Sequence, residues 1–188
     1  MNAWTRGLLG IYALSGAGGL AYAQQVQDFS VEFHPALSGA QEVPPVESQG
    51  SGVLHLEFDR GFTRGDYQLI VSGLTGVTAA HLHCAAAGEN GPIVVTLFES
   101  QEAEGTSGDG TLSESTFTGA EVTPPDDTQV CGVPLNNVAS LTNAIREGLV
   151  YVNVHTQTNP EGEIRGQIFP ELGVREQAQV QNGLPPTE

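Results

Sequence analysis

The stretch LVYVNVHTQTNPEGEIRGQI, residues 149–168, is the most informative about the fold because apolar and polar residues alternate on both sides of a turn. Valines occupy every second position from Val150 to Val154, which is typical of a strand with one face in a core. Residues 157–162, QTNPEG, have the composition of a tight turn. The stretch therefore predicts an antiparallel hairpin whose second strand covers residues 163–169.

Short strand-like segments recur along most of the 188-residue chain, separated by turns rich in its 24 Gly and 11 Pro. Eight strands are predicted, at 29–37, 52–58, 66–72, 79–84, 93–98, 111–118, 149–156 and 163–169. One short helix is predicted at 138–147, where apolar residues recur at helical spacing before Gly148. Residues 99–110 are acidic and Gly-rich and predict a loop. This pattern indicates an all-β sandwich or barrel of about eight antiparallel strands with one short helix.

The first residues have the features of a secretory signal peptide. Arg6 precedes an apolar run of small residues, and Ala21-Tyr22-Ala23 matches a cleavage site. An uncleaved membrane anchor is the alternative. Beyond residue 170 the chain lacks apolar periodicity. The predicted organisation is a signal peptide at 1–23, one domain at 29–170 and a flexible acidic and polar tail at 171–188, in a periplasmic or secreted protein.

The chain is strongly acidic, with 22 Asp and Glu residues against 6 Lys and Arg residues and a formal net charge of −16. All 6 of these Lys and Arg residues are arginines, and they are scattered along the chain. Nucleic-acid binding needs a dense positive surface, so this composition argues against it. It argues equally against an anionic membrane surface as partner once the signal peptide is removed.

The histidines carry the chemical information. His81 and His83 stand two residues apart in TAAHLHC, residues 78–84. On a strand they leave the same face, with Cβ atoms about 6.5–7 Å apart, and can bind one metal ion at about 2.0–2.1 Å. His155 occupies the corresponding polar face of the hairpin, so the three histidines are candidate metal ligands. If the apolar faces share one core, the site lies on the outside of the closed sheet, shallow and open to small ligands.

Several other residues are candidates for the surroundings of this site. His34 and His55 also lie on polar strand faces, and either is a candidate additional metal ligand. Asn153 and Arg165 share the polar face of the hairpin and are expected next to the ligands. Glu42, in GAQEVPP, is expected to accept hydrogen bonds from backbone amides and hold its loop. Three imidazoles without a carboxylate motif favour copper, with zinc as the alternative. The competing interpretation is that these histidines only form hydrogen bonds within the sheet.

The exported part of the chain holds two cysteines, Cys84 and Cys131. An even count in an oxidising compartment favours a disulfide. Closing a loop of about 47 residues would stabilise the fold by about 3–4 kcal/mol. The alternative is that Cys84, which follows His83 directly, is a thiolate metal ligand.

Three segments resemble, in the same order, the motifs of the CHRD domain, a family named for chordin. They are LSGAQEVPPVESQGSG (37–52), YQLIVSGLTGVTAAHLHCAAAGENGPIVVTLF (67–98) and LVYVNVHTQTNPEGEIRGQI (149–168). The resemblance covers about residues 29–169. It implies an immunoglobulin-like, Greek-key β-barrel with distant similarity to the copper/zinc superoxide dismutases, and it brings no settled activity.

The dismutase similarity extends to individual residues. Its H-x-H pair of copper ligands is similar to His81 and His83, and its late copper ligand is similar to His155. Its bridging histidine and its zinc loop have no counterpart in this chain. The similarity therefore implies a mononuclear copper site rather than a two-metal centre.

The sequence predicts an exported copper-binding protein that stores, buffers or transfers copper, with no catalytic residue assigned. One alternative is an extracellular binding module without a metal. Another is a copper-dependent redox enzyme of the superoxide dismutase type, in which Arg165 would guide a small anion to an open coordination position. The missing bridging histidine and the large negative charge argue against the enzyme.

Overall fold

The computed structural model describes residues 30–125, 131 and 134–169. The predicted signal peptide at 1–23 and the predicted tail at 171–188 lie outside the described residues. The elements are β1 (Val31–Phe33), β2 (Ala36–Ser38), a short 3₁₀ helix (Gly39–Gln41), β3 (Ser51–Phe58), β4 (Arg64–Cys84), β5 (Ile93–Glu99), β6 (Thr106–Thr118), α1 (Val138–Arg146), β7 (Val150–Thr156) and β8 (Ile164–Ile168). Within the described part of the chain, no helix is long and apolar enough to cross a membrane.

The strands form one antiparallel sheet that closes on itself. β3, β2, β8, β7 and β4 are hydrogen-bonded in that order, and β4 pairs back with β3. β1 is added to β3, while β5 and β6 are added to β4. The predicted all-β barrel of about eight antiparallel strands with one short helix is confirmed.

Strand β4 connects the two sides of the barrel. Its first half pairs with β3 and β6, and its second half pairs with β5 and β7. The sequence predicted two strands with a break at 73–78. Gly73 and Gly76 adopt positive φ angles of 72° and 63° there, but they accompany shifts of register rather than a chain reversal. Such irregularities bend and twist a strand without ending it, so the predicted break is wrong.

Two further boundaries differ from the prediction. The strand expected at 29–37 is divided into β1 and β2, with Pro35, which has no backbone N–H to donate, between them. The loop expected at 99–110 is shorter, because β6 already begins at Thr106 and pairs with Val77.

The core lies inside the closed sheet and under α1. Leu54, Leu82 and Val152 represent its strands and are 0% exposed, as is Leu141 of the helix. Cys84 and Cys131 form a disulfide with Sγ atoms 2.13 Å apart, which joins the end of β4 to the segment before α1. The alternative role of Cys84 as a free thiolate ligand is therefore wrong.

Candidate metal centre

The pairing of β4 with β7 brings three histidines to one place. In this ladder His81 lies opposite Asn153, and His155 lies opposite Ala79, two residues before His81. Successive side chains of a strand point to opposite faces. Leu82 is in the core, so His81 and His83 project from the other face of β4, as His155 does from β7.

The imidazole rings of His81, His83 and His155 converge. Each offers a ring nitrogen, and these nitrogens lie within 4.8 Å of one another. Nδ1 of His81 and Nε2 of His155 lie 3.1 Å apart. A metal ion bound at about 2.0–2.1 Å needs nitrogens about 3.3 Å apart in tetrahedral geometry and about 4 Å apart when they are trans. Small rotations of the rings reach these separations, so the three residues can share one ion.

Backbone carbonyls orient two of the rings. Nδ1 of His83 donates to the carbonyl oxygen of Gly91 at 2.8 Å, and Nδ1 of His155 donates to that of Pro160 at 2.9 Å. A carbonyl oxygen only accepts, so these bonds place the proton on Nδ1 and leave a lone pair on Nε2. Nε2 of His83 is buried and has no hydrogen-bond partner. Leaving such an atom unpaired costs about 1–3 kcal/mol, which a bound metal ion would recover.

All three imidazoles are held in the neutral form that binds metals. Burial is the main cause that lowers the pKa of His81 to about 4, and the neighbouring His155 and His83 lower it further. Burial likewise lowers the pKa of His83 to about 4, against the opposing effect of its hydrogen bond to Gly91. Burial also lowers the pKa of His155. At neutral pH the site therefore presents uncharged nitrogen ligands.

The polar face of the sheet is covered, unlike the shallow, open site expected from the sequence. His81 and His83 are each only 8% exposed, and His155 is partly buried. The loop between β4 and β5 lies over the face, where the Asn90 side chain donates to the carbonyl oxygen of Val43 at 2.7 Å. The expectation of an open site is wrong, because alternation places side chains on a face but does not reveal which loops pack on it.

Tyr151 and Arg165 form a stack behind His83. The Tyr151 ring lies parallel to the His83 ring, with centroids 5.0 Å apart and planes 9° apart. Cζ of Arg165 lies 3.4 Å from the centroid of the Tyr151 ring. Arg165 is 1% exposed and donates to Asn90 Oδ1 at 3.1 Å and to the Glu89 carbonyl oxygen at 2.8 Å. Its position fits a role in holding Tyr151 and the covering loop rather than the anion-guiding role considered above.

Glu42 and Asn153 lie next to this stack. They are 6% and 2% exposed. Glu42 Oε1, Asn153 Oδ1 and His83 Nε2 are the buried side-chain atoms of the described residues that have no hydrogen-bond partner. Burial raises the pKa of Glu42 to about 7, although the positive charge of Arg165 opposes the shift. Glu42 Oε1 thus does not accept the backbone hydrogen bond expected from the sequence. The buried side-chain atoms that lack hydrogen bonds are therefore concentrated around the histidines.

Tyr151 is a part of the site for which the sequence analysis predicted no role. The available signal was its position two residues before Asn153 and four before His155 on one strand face. Nothing in the sequence indicated that the Gly91 carbonyl oxygen would accept a hydrogen bond from His83, because the position of a backbone acceptor depends on loop conformation rather than on residue type.

His34 and His55 lie elsewhere. Their Nδ1 atoms are 2.9 Å apart, and His55 pairs with Gln68 on the first half of β4, whereas the three converging histidines use the second half. The structure therefore brings these two candidate ligands to each other rather than to His81, His83 and His155.

The chain belongs to the CHRD domain family, whose model matches residues 33–168. No curated protein and no solved structure matches the chain. The family resemblance seen in the sequence is thus confirmed, while the distant similarity to superoxide dismutase remains a prediction. CHRD is an extracellular type of domain, and the disulfide fits an exported protein.

Proposed function

We propose that this chain is an exported copper-binding protein in which His81, His83 and His155 hold one metal ion. The observation that carries the proposal is the buried, unpartnered Nε2 of His83, which lies in a cluster with two other neutral imidazoles. Without a ligand at this position, the buried nitrogen would have no hydrogen-bond partner.

The donor set favours copper. The cluster consists of three imidazoles, and the neighbouring Cys84 is held in a disulfide. Hard cations such as calcium prefer oxygen ligands, which this cluster does not offer. Among divalent first-row metals, sites of a given type bind Cu²⁺ more tightly than Zn²⁺. Copper is therefore the proposed ion, zinc is the alternative, and storage, buffering or transfer of copper is the proposed role.

Export is part of the same proposal. Residues 1–23 would act as a signal peptide cleaved after Ala23, and residues 171–188 would form a tail beyond the domain. The mature protein would then meet copper in the periplasm or outside the cell.

The test is a titration of the chelator-stripped protein with Cu(I), Cu(II) and Zn(II). We expect the H81A/H83A/H155A variant to bind one equivalent of copper less than the wild type. The same comparison is made in the H34A/H55A background, where His81, His83 and His155 are the only histidines left, so any copper lost there belongs to these three residues. Equal copper binding by the wild type and the triple variant, with both folded by circular dichroism, would contradict the proposal.

A further inference from the structure

The pairing of β1 with β3 brings together a second group of side chains of the types that bind metals. Phe33 lies opposite Leu56, and both are 1% exposed in the core. Neighbouring residues on each strand therefore point to the outer face. Continued by one residue, the same register places His34 opposite His55. The outer face carries four side chains with ligand chemistry, namely Glu32, His34, His55 and Glu57.

The two imidazoles of this face share a hydrogen bond between their Nδ1 atoms, and both nitrogens lie close enough to bind one ion once the shared proton is lost. Their Nδ1 atoms are 2.9 Å apart, with ring centroids 4.8 Å apart and planes 66° apart. Two nitrogens at this separation, each about 2.0–2.1 Å from a metal, subtend an angle of about 90° at the ion. That angle suits the square-planar or tetragonal geometry of Cu(II).

A carboxylate supports His34 from the other side of its ring. Glu32 Oε2 lies 3.6 Å from Nε2 of His34, within ion-pair distance. A carboxylate next to one ring nitrogen favours the proton there and leaves the other nitrogen free to bind a metal. Glu32 thus favours the His34 tautomer whose Nδ1 faces His55.

The charges of this face also favour a cation. Glu32 lies directly opposite Glu57. Asp66 of β4 lies opposite Glu57 on the next strand, but its charge is paired with Arg64 at 3.0 Å, so the repulsion is chiefly between the two glutamates. Like charges directly opposite one another destabilise a sheet, and a bound cation would reduce this repulsion.

We propose that His34 and His55 bind a second metal ion, Cu(II), at the surface, with water completing its coordination. His34 is exposed and His55 is partly exposed, so water and metal reach the pair directly. This site shares no residue with the cluster of His81, His83 and His155, and it does not depend on the function proposed for that cluster.

The test uses the full-length mature H81A/H83A/H155A protein, in which only the surface pair remains. We expect it to bind one equivalent of Cu(II), with an electron paramagnetic resonance spectrum that shows coupling to two imidazole nitrogens. Adding H34A or H55A should lower the Cu(II) affinity at least tenfold and remove that coupling. Adding Q68A, which changes the β4 neighbour of His55 without removing an imidazole, should leave both unchanged.

Two results would overturn the inference. One is a triple variant that is folded but binds no Cu(II), which would mean that the histidine pair only forms its hydrogen bond. The other is unchanged affinity and spectrum after H55A. H34A/H55A separates the two proposals. If His34 and His55 bind no metal but the cluster of His81, His83 and His155 does, this variant binds as much Cu(II) as the wild type. If the cluster binds no metal but His34 and His55 do, this variant binds none.

Discussion

At the scale of single residues, the imidazole of His83 is engaged on nearly every side. One nitrogen donates to Gly91, one ring face packs on Tyr151, and only Nε2 is left without a partner. These contacts keep the ring fixed whether or not an ion is bound. Fixing a ligand in advance removes the entropy cost of ordering it when the metal arrives.

The lowered pKa values predict that acid destabilises the metal-free protein. Above pH 6.5, His81 and His83 are neutral in both the folded and the unfolded chain. Between pH 6.5 and about 4 the unfolded chain binds protons that the folded site excludes, so the free energy of unfolding falls. Each histidine contributes on the order of 3 kcal/mol to this loss.

Glu42 acts in the opposite direction over the same range. Its pKa is raised from 4.5 to about 7, so the folded state takes up its proton first, and its stabilising contribution is lost as pH rises through 7. Burial lowers the pKa of His155 as well, so the three histidines outweigh the single glutamate and we expect a net loss of stability between pH 7 and 4. Urea unfolding of the metal-free protein at several pH values would measure it. E42Q should steepen the dependence, and an unchanged slope in H81A/H83A would refute this account.

At the scale of elements, the turn between β7 and β8 connects the histidine cluster to the Glu42 loop. Pro160 in this turn orients His155 through its carbonyl oxygen. Gly162 adopts φ 134°, and a Cβ atom there would lie 2.6 Å from Glu42 Oε1 and 2.9 Å from Asn153 Nδ2. The turn therefore requires glycine both for its backbone conformation and for the space beside Asn153.

We predict that G162A destabilises the protein by about 2–4 kcal/mol, because it adds a positive φ for a residue with Cβ to a steric clash. It should also weaken copper binding, since the clash displaces Asn153 and the turn. G110A is the matched control. Gly110 has φ 98° and no atom within 4 Å of its added Cβ, so this variant should lose only about 1–2 kcal/mol. If thermal unfolding shows that G162A and G110A lose the same amount of stability, the clash at residue 162 is relieved without cost and the prediction is contradicted.

The elements also show what could be predicted from the sequence and what could not. Alternation from Val150 to Val154 correctly predicted the hairpin and the shared face of the histidines. The same reasoning divided β4, because Gly73 and Gly76 have the composition of a turn whether a strand ends or bends. The covering loop and the Tyr151–Arg165 stack depend on contacts between segments that are distant in sequence. Local periodicity carries no information about such contacts.

At the scale of the whole molecule, negative charge opposes compaction. The chain has 22 acidic residues against 6 Lys and Arg residues. Raising the ionic strength from about 0.01 M to 0.15 M shortens the screening length from about 30 Å to about 8 Å. We therefore expect NaCl in this range to raise the Tm of the metal-free protein by a few degrees, as measured by circular dichroism. Sucrose at equal osmolality separates screening from solute exclusion. A Tm that stays constant or falls with NaCl would contradict this prediction.

The single strand β4 belongs to both halves of the barrel and bonds to four other strands. Separating His81 from His83 or from β7 would therefore require much of the sheet to break. The backbone positions of the ligands would therefore stay the same in either oxidation state of a bound ion, and only the rings could adjust. Little rearrangement between oxidation states favours rapid electron exchange, so a backbone held in this way would suit a metal that changes its oxidation state.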